Sequence, residues 1–312
     1  MDHLSRSLKN GLVAAGLRRF STRRDDASWL EERLTGESAY LLPVFEQKNL
    51  VVRSDDRVRA ACVSPDHLAN HLTTGETTVF LGEQADHYYF ALSVSETNAP
   101  LLREVQRVGE FTDLRRVGPL LDDVEAALLA YARGIIHWHR HHQFCGACGS
   151  PTAAAKGGHV RRCTHADCAR ILFPRTDPAI IVLVHRRDDC LLGRQPGWPD
   201  AMYSTIAGFV EPGETLEQAV VREVDEETGI GVDRVVYHSS QPWPFPSSVM
   251  IGFMARAATR QITTGDGELE DARWFSRPEV GAALAERGRV RLPPAFSIAR
   301  RLIADWSQEP QH

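Results

Sequence analysis

Gly208-Phe209-Val210-Glu211-Pro212-Gly213-Glu214-Thr215, running on through Leu216 to Arg222-Glu223-Val224-Asp225-Glu226-Glu227-Thr228-Gly229-Ile230, is the stretch on which the fold of this chain turns. A glycine-punctuated loop leads into a helix that Gly229 can end as a left-handed cap. Glu223 and Glu227 stand four residues apart with Glu226 beside them, so three carboxylates share one helix face. Like charges at that spacing repel. A divalent cation resolves the conflict. Mg2+ or Mn2+ takes carboxylate oxygens, keeps waters and bridges to phosphates, and can turn a bound water into a nucleophile. Arg222 points elsewhere on the helix and is expected to hold a loop carboxylate such as Glu214. An acidic helix is more often merely solvated. Here, however, the whole spacing G-x5-E-x7-R-E-U-x-E-E-x-G-U (U apolar) is met, which chance would give on the order of 10⁻⁷ of the time in such a chain.

Ten residues further on comes Ser240-Gln241-Pro242-Trp243-Pro244-Phe245-Pro246-Ser247-Ser248. Three prolines are expected to hold an irregular loop rigid. Such a loop can present Gln241, Trp243 and Phe245 to a base, or can simply be a stiffened core loop. Upstream, Ala179–Val184 reads as a buried strand, paired back through Leu191–Leu192 across a charged turn. Further strands are expected near Tyr203–Ala207, Val235–Ser239, Met250–Ala255 and Ala272–Phe275, with closing helices over 278–286 and 296–306. Strands mixed with helices, without regular βαβ alternation, indicate an α+β fold with a C-terminal α/β/α sandwich.

Cys145, Cys148, Cys163 and Cys168 cluster within 24 residues. Four thiolates on two short chelating loops suit a zinc ion, and a site with four protein ligands is structural. The Cys163–Cys168 spacer is longer than usual, which leaves His165 as an alternative ligand. Cys62 and Cys190 read as small buried residues. The preceding helix, from Asp122 to about His142, is expected to bury one face through Leu128, Tyr131, Ala132, Ile135, Ile136 and Trp138. Its terminal His137, His139, His141 and His142 are read as complementing the helix C-terminus rather than binding metal. Residues 1–121 alternate short apolar runs with turns, as a small N-terminal α+β domain does, and carry no catalytic constellation. Three segments result: 1–121, a connecting helix and zinc-ribbon segment at 122–175, and the carboxylate-bearing domain at 176–312.

Composition sets the outer bounds. With 36 basic and 41 acidic residues the net charge is −5, so the chain offers no broad basic face for non-specific nucleic-acid binding. A hydrophobic content of 43% supports a packed core. No stretch reaches the ~18 apolar residues of a membrane span, and no secretory signal is evident. No membrane association is expected, and the protein is read as cytoplasmic.

The spacing around Glu223 to Glu227 is the Nudix box, and the chain resembles Nudix hydrolases without departure there. The Ser240–Ser248 segment resembles the signature of NADH pyrophosphatases of the NudC type. The same family resemblance extends from about residue 125 to the end, through Trp138-His139, the cysteine segment and Phe173-Pro174-Arg175-Thr176-Asp177-Pro178. It implies hydrolysis of NAD(H) to NMN(H) and AMP with two or three Mg2+ or Mn2+ ions, removal of NAD caps from RNA 5′ ends, and a homodimer. By the same resemblance Glu223, Glu226 and Glu227 ligate metal or act as base, with Glu268 as a further carboxylate. Phe173, in one arrangement from the partner subunit, and Phe209 hold the nicotinamide unless they are ordinary core, and Ala299 lies in a segment lining the nucleotide pocket. Gly208, Glu214, Arg222 and Gly229 are structural. Arg161, Arg162, Arg170 and Arg175 are candidate phosphate contacts or plain surface residues. Two other readings compete: a Nudix hydrolase of ADP-ribose or dinucleoside polyphosphates, and a non-catalytic nucleotide-sensing or RNA-binding protein. The intact carboxylate set argues against the second of these.

Overall fold

The computed structural model describes residues 2–72, 76–265 and 267–308. The chain forms two compact units. One comprises Met1–Val13, Asp177–Pro242 and Ser248–His312, and the other Ala14–Thr176 with Trp243–Ser247. These boundaries differ from the three sequential segments expected. The connecting helix and cysteine segment cluster with the N-terminal residues, and two short stretches, up to Val13 and Trp243–Ser247, change sides.

The first unit is built on the strand Asp177–Arg186, which pairs in parallel with Ser248–Ala257, antiparallel with Asp189–Arg194, and antiparallel with Ile206–Phe209. Asp271–Ser276 extends the sheet beyond Asp189–Arg194, and Val232–Trp243 extends it beyond Ser248–Ala257. The near-continuous apolar run Ala179–Val184 follows from burial on both faces, since neighbouring side chains of a strand point to opposite sides. Ile180, Val182 and Val184 enter one core with Ala219, Val220 and Val224 of the helix Leu216–Thr228. Ile181 and Leu183 enter the other, with Val280 and Ala283 of Arg277–Leu284 and Leu302, Ile303 and Trp306 of Ile298–Gln308. This is the α/β/α sandwich. Val232–Trp243 runs through Pro242, so the proline-rich segment is loop only over 244–247. An edge strand tolerates the proline because, among the described residues, no further strand pairs with its outer side.

The second unit holds a sheet in the order 57–60, 48–54, 39–45, 87–93, 78–84, with 110–112 pairing 48–54, and a separate three-stranded ribbon of Thr152–Ala155, Val160–Cys163 and Ile171–Leu172. The helix Asp123–His141 starts on the Asp122 side chain, which accepts from the Glu125 N–H. It is buried on more than the one expected face: Ala126 to Ala130, Ala132, Arg133, Ile135, Ile136, Trp138 and His139 are all inside, while Tyr131 is half-buried. The sheet meets one side, where Asn49 Nδ2 donates to Leu129 O, and the ribbon meets another, where His139 Nε2 bonds Gly158 O. Burial holds His139 near pKa 4, well below the ordinary imidazole value, so this histidine is neutral and meets the helix end as a polar group. Cys190 is fully buried as expected, but Cys62 is exposed. Among the described residues no helix is long and apolar enough to cross a membrane.

Candidate active site and zinc ribbon

The helix Leu216–Thr228 is fixed at both ends. Thr215 and Gln218 form a reciprocal capping box, and Gly229, at φ 65°, closes the C-terminus with its N–H on Asp225 O at 2.7 Å. Its apolar stripe runs through Val220 and Val224, and the next position in line is Glu227, only 2% exposed. That is a costly place for a carboxylate unless its charge is compensated.

Arg222 organises the remaining acids. Its Nε and Nη2 donate to the two oxygens of Glu214 at 3.1 and 2.7 Å, the bidentate arrangement to which a guanidinium is suited. Nη2 also donates to Phe209 O at 2.9 Å, and Nη1 reaches Glu223 at 2.8 Å and Glu226 at 3.1 Å. The Glu211 N–H in turn donates to Glu214 at 2.7 Å, so the loop before the helix is tied to the carboxylate face. Donation from Arg222 holds the Glu214 carboxyl below the ordinary range. Glu223 goes the other way. Burial pushes its carboxyl up against the pull of Arg222, and the charges of Glu226 and Glu268 add to the push. Glu268 is exposed, on a segment anchored by the buried Leu269.

Gly208 explains how Glu223 can lie where it does. It sits opposite Ile180 in the sheet, and a Cβ there would overlap the Glu223 carboxylate. The site therefore has a cradle for a carboxylate, built by an absent side chain, beside one buried and one exposed acid. Hard oxygen donors of this kind suit a divalent cation, and Glu223, Glu226 and Glu227, with Glu268 near by, are the residues that would hold it. Phe209, the last residue of its strand, is 61% exposed, and its carbonyl is held by Arg222.

Not every expected residue joins it. Gln241 is fully buried in the sandwich unit. Both amide hydrogens are committed, to Gly11 O at 2.8 Å and Phe296 O at 2.6 Å, and its oxygen accepts from Ile298 N at 2.8 Å. It braces backbone and does not face a base. Ala299, 2% exposed, packs in the core on the sheet face opposite the carboxylate helix. Phe245 is buried in the other unit with Trp243 edge-on at 5.0 Å, and the guanidiniums of Arg115 and Arg133 lie over its ring at 4.7 and 4.8 Å. Trp243 is half-buried. Phe173 is 68% exposed on the segment that follows the ribbon. Arg133 was not foreseen. Its Nε donates to Pro244 O at 2.8 Å, anchoring the 243–247 turn to the long helix. A lone arginine in the middle of the apolar run Ala126–Ile136 was the available signal. Arg161 is buried and holds Thr152 Oγ1, Thr152 O and His139 Nδ1, so it contacts no phosphate, whereas Arg162, Arg170 and Arg175 are exposed.

In the ribbon the four sulfurs of Cys145, Cys148, Cys163 and Cys168 lie within 4.8 Å of one another. The Cys145–Cys168 and Cys148–Cys163 separations are 3.8 and 3.4 Å. Tetrahedral sulfur ligation at ~2.3 Å requires sulfurs ~3.8 Å apart, so the set fits zinc. The longer second spacer is taken up by a turn in which Cys168 N–H and Ala169 N–H both meet His165 O. His165 is exposed and outside the sulfur set. Donation from the backbone and hydroxyl of Ser150 draws the Cys148 thiol down to about 6, toward the thiolate that a metal needs.

Three family profiles match the chain in succession. A NADH pyrophosphatase-like rudimentary NUDIX domain matches residues 38–138, a NADH pyrophosphatase zinc ribbon domain 140–173, and a NUDIX domain 175–296. The NAD-capped RNA hydrolase NudC of Deinococcus radiodurans is 39% identical over 241 residues, 76% of this chain and 80% of that protein. The protein of the same name from Mycobacterium bovis is 42% identical over 207 residues, 64% of this chain and 66% of its own. The human NAD-capped RNA hydrolase NUDT12 is 43% identical over 197 residues, 60% of this chain. The chain spans 42% of that human protein's length, as it does of the macaque relative.

Proposed function

This chain belongs to the NADH pyrophosphatase, or NudC-type, Nudix hydrolases, and on that premise we propose that it hydrolyses the diphosphate bridge of NAD(H) to NMN(H) and AMP and removes the same group where it caps an RNA 5′ end. The observation that carries the reading is the Gly208 cradle, which seats the half-buried Glu223 carboxylate, held with Glu226 by one guanidinium, on the helix face that also carries Glu227. When bound, Mg2+ or Mn2+ supplies charge neutralisation at the diphosphate oxygens and lowers the pKa of a bound water. The protein's own part is positional. Arg222, fastened to Glu214, keeps Glu223 and Glu226 turned toward one face, and its grip on Phe209 O fixes the strand end that carries the Phe209 ring. That exposed ring stacks on the nicotinamide or adenine of the dinucleotide. Glu227 or its neighbour Glu226 accepts the proton of the attacking water as its oxygen bonds to one phosphorus and the bridging P–O bond breaks. Preorganised charge at the phosphoryl oxygens is the largest contribution expected in such a site.

The test is product analysis with NADH, NAD+ and ADP-ribose, each with and without Mg2+ or Mn2+, alongside Glu227→Gln. The expected outcome is metal-dependent NMNH and AMP from NADH, lost in the variant. Preference for ADP-ribose overturns the substrate reading, and no turnover by folded, metal-loaded protein overturns the enzyme reading. The same proposal keeps the homodimer and the cytoplasmic setting expected from the sequence, which light scattering after gel filtration and cell fractionation respectively check.

A further inference from the structure

The sheet of the sandwich unit carries a second concave site. Gly208 lies opposite Ile180, whereas this cavity opens around Arg186, six residues further along the same strand and so roughly 20 Å away. Its volume is about 990 Å³, which accommodates a nucleotide-sized ligand. Six arginines line it, namely Arg6, Arg186, Arg187, Arg234, Arg256 and Arg277, against one acid, Asp188. Asp233 holds Arg256 at 2.7 and 3.0 Å, and Asp188 holds Arg277 at 3.2 Å. Arg6, Arg186, Arg187 and Arg234 form no ion pair among the described residues. The chain as a whole carries a net charge of −5, so the positive charge gathered at this cavity runs against the balance of the molecule.

Two further observations point to a ligand. Arg187 occupies the first position of the two-residue turn between Arg186 and Asp189, with φ 54°. That left-handed position favours glycine, and an arginine there is strained. The fold tolerates the strain and gains a guanidinium at the cavity's lip. Trp306 also lines the cavity; it is 1% exposed and its indole N–H meets no acceptor. Planar guanidinium forks recognise phosphate oxygens in pairs, and the half-buried Tyr237 ring at the cavity wall suits a base or ribose.

We propose that this cavity is a second, non-hydrolytic phosphate-binding site, which takes the phosphates of a nucleotide or of a short single-stranded oligonucleotide. The full-length protein is titrated with a fluorescent, uncapped RNA ten-mer and, in a separate arm, with fluorescent AMP, at several salt concentrations. Arg186→Ala, Arg234→Ala and Arg187→Gly are compared with wild type. The expected result is a Kd raised about tenfold in the double variant Arg186→Ala/Arg234→Ala, with the slope of log K against log salt shallower by about one for each arginine lost in the RNA arm. Arg187→Gly weakens binding while its melting temperature stays level or rises, because glycine relieves the turn. NADH hydrolysis stays unchanged in every one of these variants. Sensitivity of the RNA arm identifies an oligonucleotide as the occupant, and sensitivity of the AMP arm alone identifies a free nucleotide. Binding of both probes that is indifferent to all the variants, or no binding by folded protein at physiological salt, overturns the proposal.

Discussion

At Gly208 a single hydrogen in place of a methyl group makes room for a carboxylate. Gly208→Ala is expected to leave the fold intact, since a strand accepts alanine, yet to lower kcat about a hundredfold or more by displacing Glu223. Circular dichroism and steady-state hydrolysis of NADH check the two halves of that statement separately. Arg222 makes a different demand. Arg222→Lys keeps the charge but has no fork with which to hold Glu214, Glu223 and the Phe209 carbonyl together. A loss of activity of roughly tenfold or more, with little change in overall charge, is the expected outcome. If the lysine variant is as active as the parent, the guanidinium's geometry has no role and only its charge matters. Both residues were named from the sequence, but as structural neighbours in a motif. Why they matter to Glu223 was not legible, because Gly208 and Glu223 meet only when a strand edge and a helix face are brought together.

At the level of elements, the ribbon and the long helix behind it carry the predictions. The ribbon's strands are four, four and two residues long, too short to hold a core without a staple. Removing zinc with a chelator, or replacing Cys148 by serine, should lower the melting temperature of this part of the chain by roughly 10 °C or more, and added zinc should restore the chelated protein but not the variant. The histidines behind the ribbon set a pH dependence. Burial holds His139 and His159 at about 4, below the ~6.5 of an unfolded chain. The unfolded state therefore takes up protons first as the pH falls. The stability these residues contribute is complete above about pH 6.5 and declines as the pH drops toward 4. In His159→Gln, whose side-chain N–H can still reach Phe80 O, the urea midpoint should fall less steeply between pH 7 and 5. An unaltered slope would show that His159 has no part in the acid sensitivity.

For the molecule as a whole, the order of the chain and the order of packing do not coincide. Residues up to Val13 belong with the sandwich, where Asn10 Nδ2 donates to Ser239 Oγ at 3.1 Å and Ser240 O at 2.9 Å. Asn10→Ala should cost about 1–3 kcal/mol by leaving buried acceptors unmet, measured by urea unfolding, although the residue lies more than 200 positions from its partners. No periodicity in the first thirteen residues announces this. The sequence by itself determined the parts that depend on local pattern: the carboxylate helix and its glycine C-cap, the buried strand at 179–184, and the four cysteines as one metal set. Each rests on interactions between residues close along the chain, or on residue types with one evident partner. Tertiary structure alone decided that Gln241 braces backbone, that Phe245 is buried under Arg115 and Arg133, that Ala299 is core, and that Arg161 is turned inward. It also decided that six arginines from distant segments converge on one cavity. Those outcomes depend on which segments meet in space. Such meetings are fixed by long-range packing and burial, which a local pattern does not encode.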